Sequence, residues 1–134
     1  MLSLLLPSFL NAAAGKKETI RPEKIITITL LPGGHAVMGL DTLDLDGLSK
    51  ELQKRLFKSY MGTGKMYDAI KLEYPGDVLM GSRDAAKDAI HKAQLNALKQ
   101  LCLEKHKKYF EDINSRQQDK IKRQFPVLFQ TNFD

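Results

Sequence analysis

Cys102 and His106 stand four residues apart in a stretch that reads as helix, so a thiol and an imidazole would project one turn apart. That spacing suits a thiolate–imidazole pair or two ligands of a metal ion. The chain has no second cysteine and no third ligand at a suitable spacing, so a core cysteine with a partly exposed histidine is the simpler reading. Asp84, Asp88 and His91 also share one helical face, enough for a divalent cation or an acid–base site. Acids near a helix N-terminus are accounted for by the helix dipole alone. Gly62-Thr63-Gly64-Lys65 has part of a phosphate-binding loop, but the first glycine of the full pattern would fall on Ser59. Met66 stands where a Ser or Thr should follow the lysine, and the segment follows a helix instead of a strand. His35, beside Gly33-Gly34, reads as a turn or strand-edge residue. No catalytic, cofactor-binding or metal site is expected, and the chain reads as a non-enzyme.

The remaining chemistry is basic. Lys105, Lys107, Lys108, Arg116, Lys120, Lys122 and Arg123 outnumber the acids between them, with Tyr109, Phe110, Phe125 and Phe129 interspersed. Such a run is the raw material of a nucleic-acid surface, yet no recognisable nucleic-acid module contains it. Phe110 and Phe125 more simply fasten a short helix as a hydrophobic clamp. Lys107, Lys108, Lys120, Lys122 and Arg123 are therefore candidate contacts to an anionic surface, a head group or cell-wall polymer ahead of nucleic acid. The formal charge of +5 is mild, because acids alternate with the cations along most of the chain.

The elements that would position these groups fit one small domain. At 134 residues, 43% hydrophobic and 28% charged, the chain can bury a core, and one cysteine excludes an intrachain disulfide. Leu2-Ser3-Leu4-Leu5-Leu6, broken by Pro7 and ending at Phe9-Leu10, is about half of the roughly 20 apolar residues that a bilayer span requires. It reads as the end of an anchor helix, a signal-like leader before Ala12-Ala13-Ala14, or a disordered leader. Polar residues 15–23 form a linker. From Lys24, Ile25 to Leu31 alternates as a strand up to Pro32-Gly33-Gly34, and His35 to Met38 would return as a hairpin.

Asp44 or Asp46 would cap a helix with the stripe Leu45, Leu48, Leu52 and Leu56, running to about Ser59 or Tyr60. Ala69 to Tyr74 alternates again. Ser82 or Asp84 would cap a longer helix with Ala86, Ile90, Ala93, Ala97, Leu98, Leu101 and Cys102 buried, running to about Phe110. Ser115 with Gln118 has capping-box spacing for a last short helix that stops before Pro126. The expectation is an α+β fold of order β-β-α-β-α, a small sheet with two helices on one face, plus a short C-terminal helix. The domain boundaries are 1–23 for leader and linker, 24–126 for the domain and 127–134 for a tail.

The segment Lys107-Lys108-Tyr109-Phe110-Glu111-Asp112-Ile113, then Ser115-Arg116-Gln117-Gln118-Asp119-Lys120-Ile121 and the Phe125-Pro126 stop, resembles the C-terminal extension of Bacteroidetes-type ExbD/TolR biopolymer-transport proteins. The resemblance covers roughly Lys24 to Pro126 and is specific only from Lys107 onward; Pro75 to Arg83 is longer than the family pattern. It implies a periplasmic domain behind a single inner-membrane anchor, which favours the anchor reading of the leader. The family's proton-handling aspartate belongs to a membrane segment outside this sequence. The implied role is that of an accessory subunit in proton-motive-force-driven energy transduction of the TonB-ExbB-ExbD or Tol type, supporting outer-membrane transport. The implied partners are an ExbB-like channel subunit, a TonB-like protein and a second copy of the chain, with peptidoglycan as a further candidate; no cofactor and no nucleic acid are implied. Edge-strand logic would place the partner or dimer interface at Ile26, Ile28 and Leu30, with Ile70 and Leu72 as the other strand. The alternative is a basic nucleic-acid- or cell-wall-polymer-binding module.

Overall fold

A computed structural model of the chain describes residues 24–134, so the leader and linker expected over residues 1–23 lie outside the described residues. Among the described residues the fold is α+β, with a small mixed four-stranded sheet and three helices. In chain order the elements are β1 (Ile25–Leu30), β2 (Ala36–Met38), β3 (Asp41–Leu43), α1 (Leu45–Thr63), β4 (Ala69–Glu73), α2 (Met80–His106) and α3 (Ser115–Gln124). Short 3-10 turns at Phe110–Asp112 and Pro126–Phe129 flank α3.

The sheet is ordered β3-β2-β1-β4. β1 pairs antiparallel with β2 and parallel with β4, Ile28 standing opposite Met38 on one side and Leu72 on the other. Because side chains alternate along a strand, Ile26, Ile28 and Leu30 all turn to one face, joined there by Ala36, Met38, Ile70 and Leu72, every one of them buried. Leu48, Leu52 and Leu56 of α1 and Ala86, Ile90, Ala93, Ala97 and Leu101 of α2 are buried in the same core. The opposite face carries Thr27, Lys71 and Glu73, all exposed, with Thr29 and Val37 half-buried. One buried face and one wet face explain why β1 alternates isoleucine with threonine.

Three features depart from the expectations. β3 was not expected: the stretch after Gly39 reads as a lead into α1, but Asp41–Leu43 pairs antiparallel with β2 through a two-residue Gly39-Leu40 turn. Glycine makes that turn possible, since Gly39 sits at φ +65°. The order is therefore β-β-β-α-β-α. α1 is capped by Asp44, whose carboxylate accepts from the Gly47 N–H at 2.7 Å, and runs on to Thr63 before Gly64 closes it at φ 74°. α2 begins at Met80 with no side-chain cap on Leu79, ahead of Ser82 and Asp84, and stops at His106 because Lys107 turns left-handed at φ 59°.

The C-terminal region packs as part of the domain. α3 has its capping box one residue earlier than expected, between Asn114 and Gln117. Ile113, Ile121, Phe125, Val127, Leu128 and Phe133 are all buried in the common core, so the packed unit extends beyond Pro126 through most of the expected tail. Phe110 and Phe125, on either side of α3, each pack on a different aromatic ring. Phe125 stands edge-on to Tyr60 at 5.4 Å, and Phe110 packs on Phe129 at 5.6 Å. No helix of the described residues is long and apolar enough to cross a membrane.

Candidate functional site

The groups with catalytic spacing separate into structural roles. Cys102 is fully buried, and burial pushes its thiol above the usual range, with a smaller push from the Glu111 carboxylate. A thiol held protonated is a poor nucleophile and a poor metal ligand. His106 is half-buried at the end of α2, its Nδ1 at the outer limit of contact with Gln117 Nε2, 3.5 Å away. Asp84 and Asp88 are exposed, whereas His91 turns inward and places Nδ1 2.9 Å from Gln94 Oε1, with its ring 5.4 Å from Phe133. Among the described residues no group of three His, Cys, Asp or Glu side chains is placed to hold a metal ion.

Gly62 to Lys65 is the end of α1. Ser59 Oγ donates to the Lys65 carbonyl at 2.9 Å, while Thr63 Oγ1 donates to the Ser59 carbonyl at 2.8 Å and accepts from the Lys65 N–H at 3.2 Å, so the turn satisfies its own polar groups. His35 is exposed next to the Gly33-Gly34 turn.

The basic residues are where an anionic surface could reach them. Lys107, Lys108, Lys120, Lys122 and Arg123 are all exposed, and none takes part in an ion pair among the described residues. Between the end of α2 and α3 lies a cleft of about 360 Å³, lined by Lys105, His106, Arg116 and Lys120 without an acidic side chain. Lys120 belongs to this cleft; the other four candidates stand outside it.

The five apolar interface candidates are in the core. Ile26, Ile28, Leu30, Ile70 and Leu72 are at most 4% exposed, so their side chains hold the sheet to its helices and do not face a partner. β1 is paired with β4 from Ile25 to Thr29 and with β2 from Ile28 to Leu30, so among the described residues only the β2 side of its first three residues has no strand beside it. The edges belong to β3 and β4. β3 has one side unpaired among the described residues, with Arg55 reaching Asp41 at 3.0 Å beside it.

The β4 edge is occupied by the chain itself. The Gln130 side chain accepts from the Ile70 N–H at 2.8 Å and donates to the Ile70 carbonyl at 2.7 Å. The Leu72 N–H donates to the Phe133 carbonyl at 2.7 Å. Gln94, 2% exposed, secures the base of this strap by donating to the carbonyls of Val127 at 2.8 Å and Gln130 at 3.0 Å. The apolar-stripe reading of α2 passed over Gln94 because it sits between Ala93 and Ala97 as a polar residue, and no sequence pattern distinguishes a buried glutamine from an exposed one.

Comparison of the chain with protein-family models, curated proteins and solved structures finds no match.

Proposed function

We propose that this chain is a non-enzymatic protein-binding domain of an ExbD/TolR-like energy transducer, facing the periplasm from the bacterial inner membrane. In that role it would work with an ExbB-like channel subunit, a TonB-like protein and a second copy of itself in support of outer-membrane transport. The observation that carries the reading is a two-layer domain whose sheet keeps one wet face and, among the described residues, an unpaired β3 edge. Unpaired N–H and C=O groups on an edge strand are a ready template for an extended segment from another chain. The helices on one side and the α3 segment after Phe110 agree in kind with the family resemblance.

Strand addition here works through main-chain groups, since the apolar side chains of the strands are already committed to the core. A photo-crosslinker placed at Thr42 on β3, in the intact cell envelope, tests the reading. Adducts with a multi-span channel subunit or a TonB-like protein are expected. Adducts confined to nucleic-acid-binding proteins would overturn it.

A second reading rests on the acid-free cleft between α2 and α3 and the exposed cations around it. In that reading the domain docks on an anionic polymer or head-group surface through Lys107, Lys108, Lys120, Lys122 and Arg123.

A further inference from the structure

We propose that the outer edge of β4 is a docking strip for an extended segment carrying a glutamine and, three residues later, a phenylalanine, and that Gln130–Phe133 is its resident occupant. The proposal deepens the strand-pairing reading and rests on its premise that the sheet edges are the working surfaces. It begins from the difference between the two edges. Among the described residues β3 is three residues long with an open side, whereas β4 is five residues long and three of its outward groups, the Ile70 N–H and C=O and the Leu72 N–H, are paired without any strand beside them.

The pairing is read by a side chain. A carboxamide presents a carbonyl oxygen and N–H donors in the geometry of a peptide group, so Gln130 both accepts from and donates to Ile70 as the main chain of a neighbouring strand would. Its second amide hydrogen serves the Asn132 carbonyl at 2.7 Å, which folds the tail so that the Phe133 carbonyl meets the Leu72 N–H. Phe133 then buries its ring to 2% exposure against His91. A carboxylate at position 130 could accept but could not donate, and an apolar residue could do neither. Ordinary strand addition takes its main-chain hydrogen bonds from any sequence. Here one of the two pairings needs an amide side chain, so the strip selects its occupant by the Gln-x-x-Phe spacing.

The resident strap is anchored at Gln130 and Phe133 and exposed between and beyond them. Thr131, Asn132 and Asp134 are exposed; Asp134 lies 3.9 Å from Lys87, and its N–H donates to Asn132 Oδ1 at 3.1 Å. A competing segment with the same two side chains would take over each contact the strap gives up.

The test uses the full chain, its Gln130→Ala, Gln130→Glu and Phe133→Ala variants, and a labelled peptide with the sequence of residues 129–134. Amide exchange at Ile70 and Leu72 is compared with that at Ile28 and Leu56. In Gln130→Ala and Phe133→Ala, protection at Ile70 and Leu72 should fall about tenfold or more with the core amides unchanged; Gln130→Glu, which keeps an acceptor for the Ile70 N–H but loses the donor, should lose less. The peptide should bind the two alanine variants at least about tenfold more tightly than it binds the native chain, because the strip is open for a larger fraction of the time. Peptides carrying Gln130→Ala or Phe133→Ala should not bind. Equal binding to native chain and variants overturns the proposal. So does opening of Ile70 and Leu72 without peptide binding, and that result leaves the crosslinking expectation at Thr42 untouched. Should every variant also lose protection in the core, excess peptide on the native chain decides: shifted Ile70 and Leu72 resonances support the strip, and unshifted ones sink it.

Discussion

Two buried side chains on α2 carry predictions of opposite kinds. Gln94 is held inside by three partners: His91 on its oxygen, and the Val127 and Gln130 carbonyls on its nitrogen. Gln94→Ala leaves those carbonyls without their donor, at a cost of about 2–3 kcal/mol. A lower urea midpoint with an unchanged slope is the expected reading. Cys102, by contrast, matters through its proton. Burial raises its pKa, so the folded chain keeps the proton at a pH where the unfolded chain has begun to release it. Its contribution to stability is therefore intact below the free-thiol value of about 8.5 and is lost as pH rises from there through the folded value. Cys102→Ala should flatten the alkaline decline in the urea midpoint, and the native thiol should resist alkylation at neutral pH until the chain unfolds. The core status of Cys102 was legible in the sequence because it falls on an apolar stripe with no second ligand in reach. The strap was not: Gln130 and Phe133 look like an ordinary polar tail, and their partners lie some 60 residues away, at Ile70 and Leu72.

At the scale of elements, alternation and stripes did most of the work. The Ile-Thr alternation of β1, the leucines of α1 and the alternation of β4 all reappear as buried faces. β3 escaped because three residues are too few for a period, and its acids resembled a helix approach. The end of α2 escaped for a different reason. From Ser82 to Phe125 the chain contains no glycine or proline, so nothing local marks the stop at His106. Tertiary packing of Ile113 and Ile121 makes it, and Lys107 absorbs the turn at φ 59°. A lysine in that region is strained where glycine is not. Lys107→Gly should therefore raise stability by up to about 1 kcal/mol, read as a higher melting temperature. A helix that ran on through position 107 would instead lose stability on gaining the glycine.

The whole molecule separates its binding chemistries by place: main-chain edges at the ends of the sheet, cations around α3. In the anionic-surface reading, charge reversal at Lys107, Lys108, Lys122 and Arg123, all exposed, should cost folding at most about 1 kcal/mol per site, the cost arising because Lys107 closes α2 and Lys122 and Arg123 stand in the last turn of α3. It should also weaken binding to anionic vesicles by about 1 kcal/mol per cation near the surface. Binding of the native chain should fall as salt rises, with sedimentation against vesicles of graded anionic content as the measurement. Retention unaffected by both charge reversal and salt would rule the surface out. The strap has a consequence for how the molecule is made. Ile70 and Gln130 are 60 positions apart, so synthesis at about 5–20 residues per second puts the strand into the cell some 3–12 s before the residue that covers it. For those seconds every nascent copy carries a bare, sticky margin. Whatever meets the chain during its birth, chaperone or fellow nascent chain, has first access to that margin.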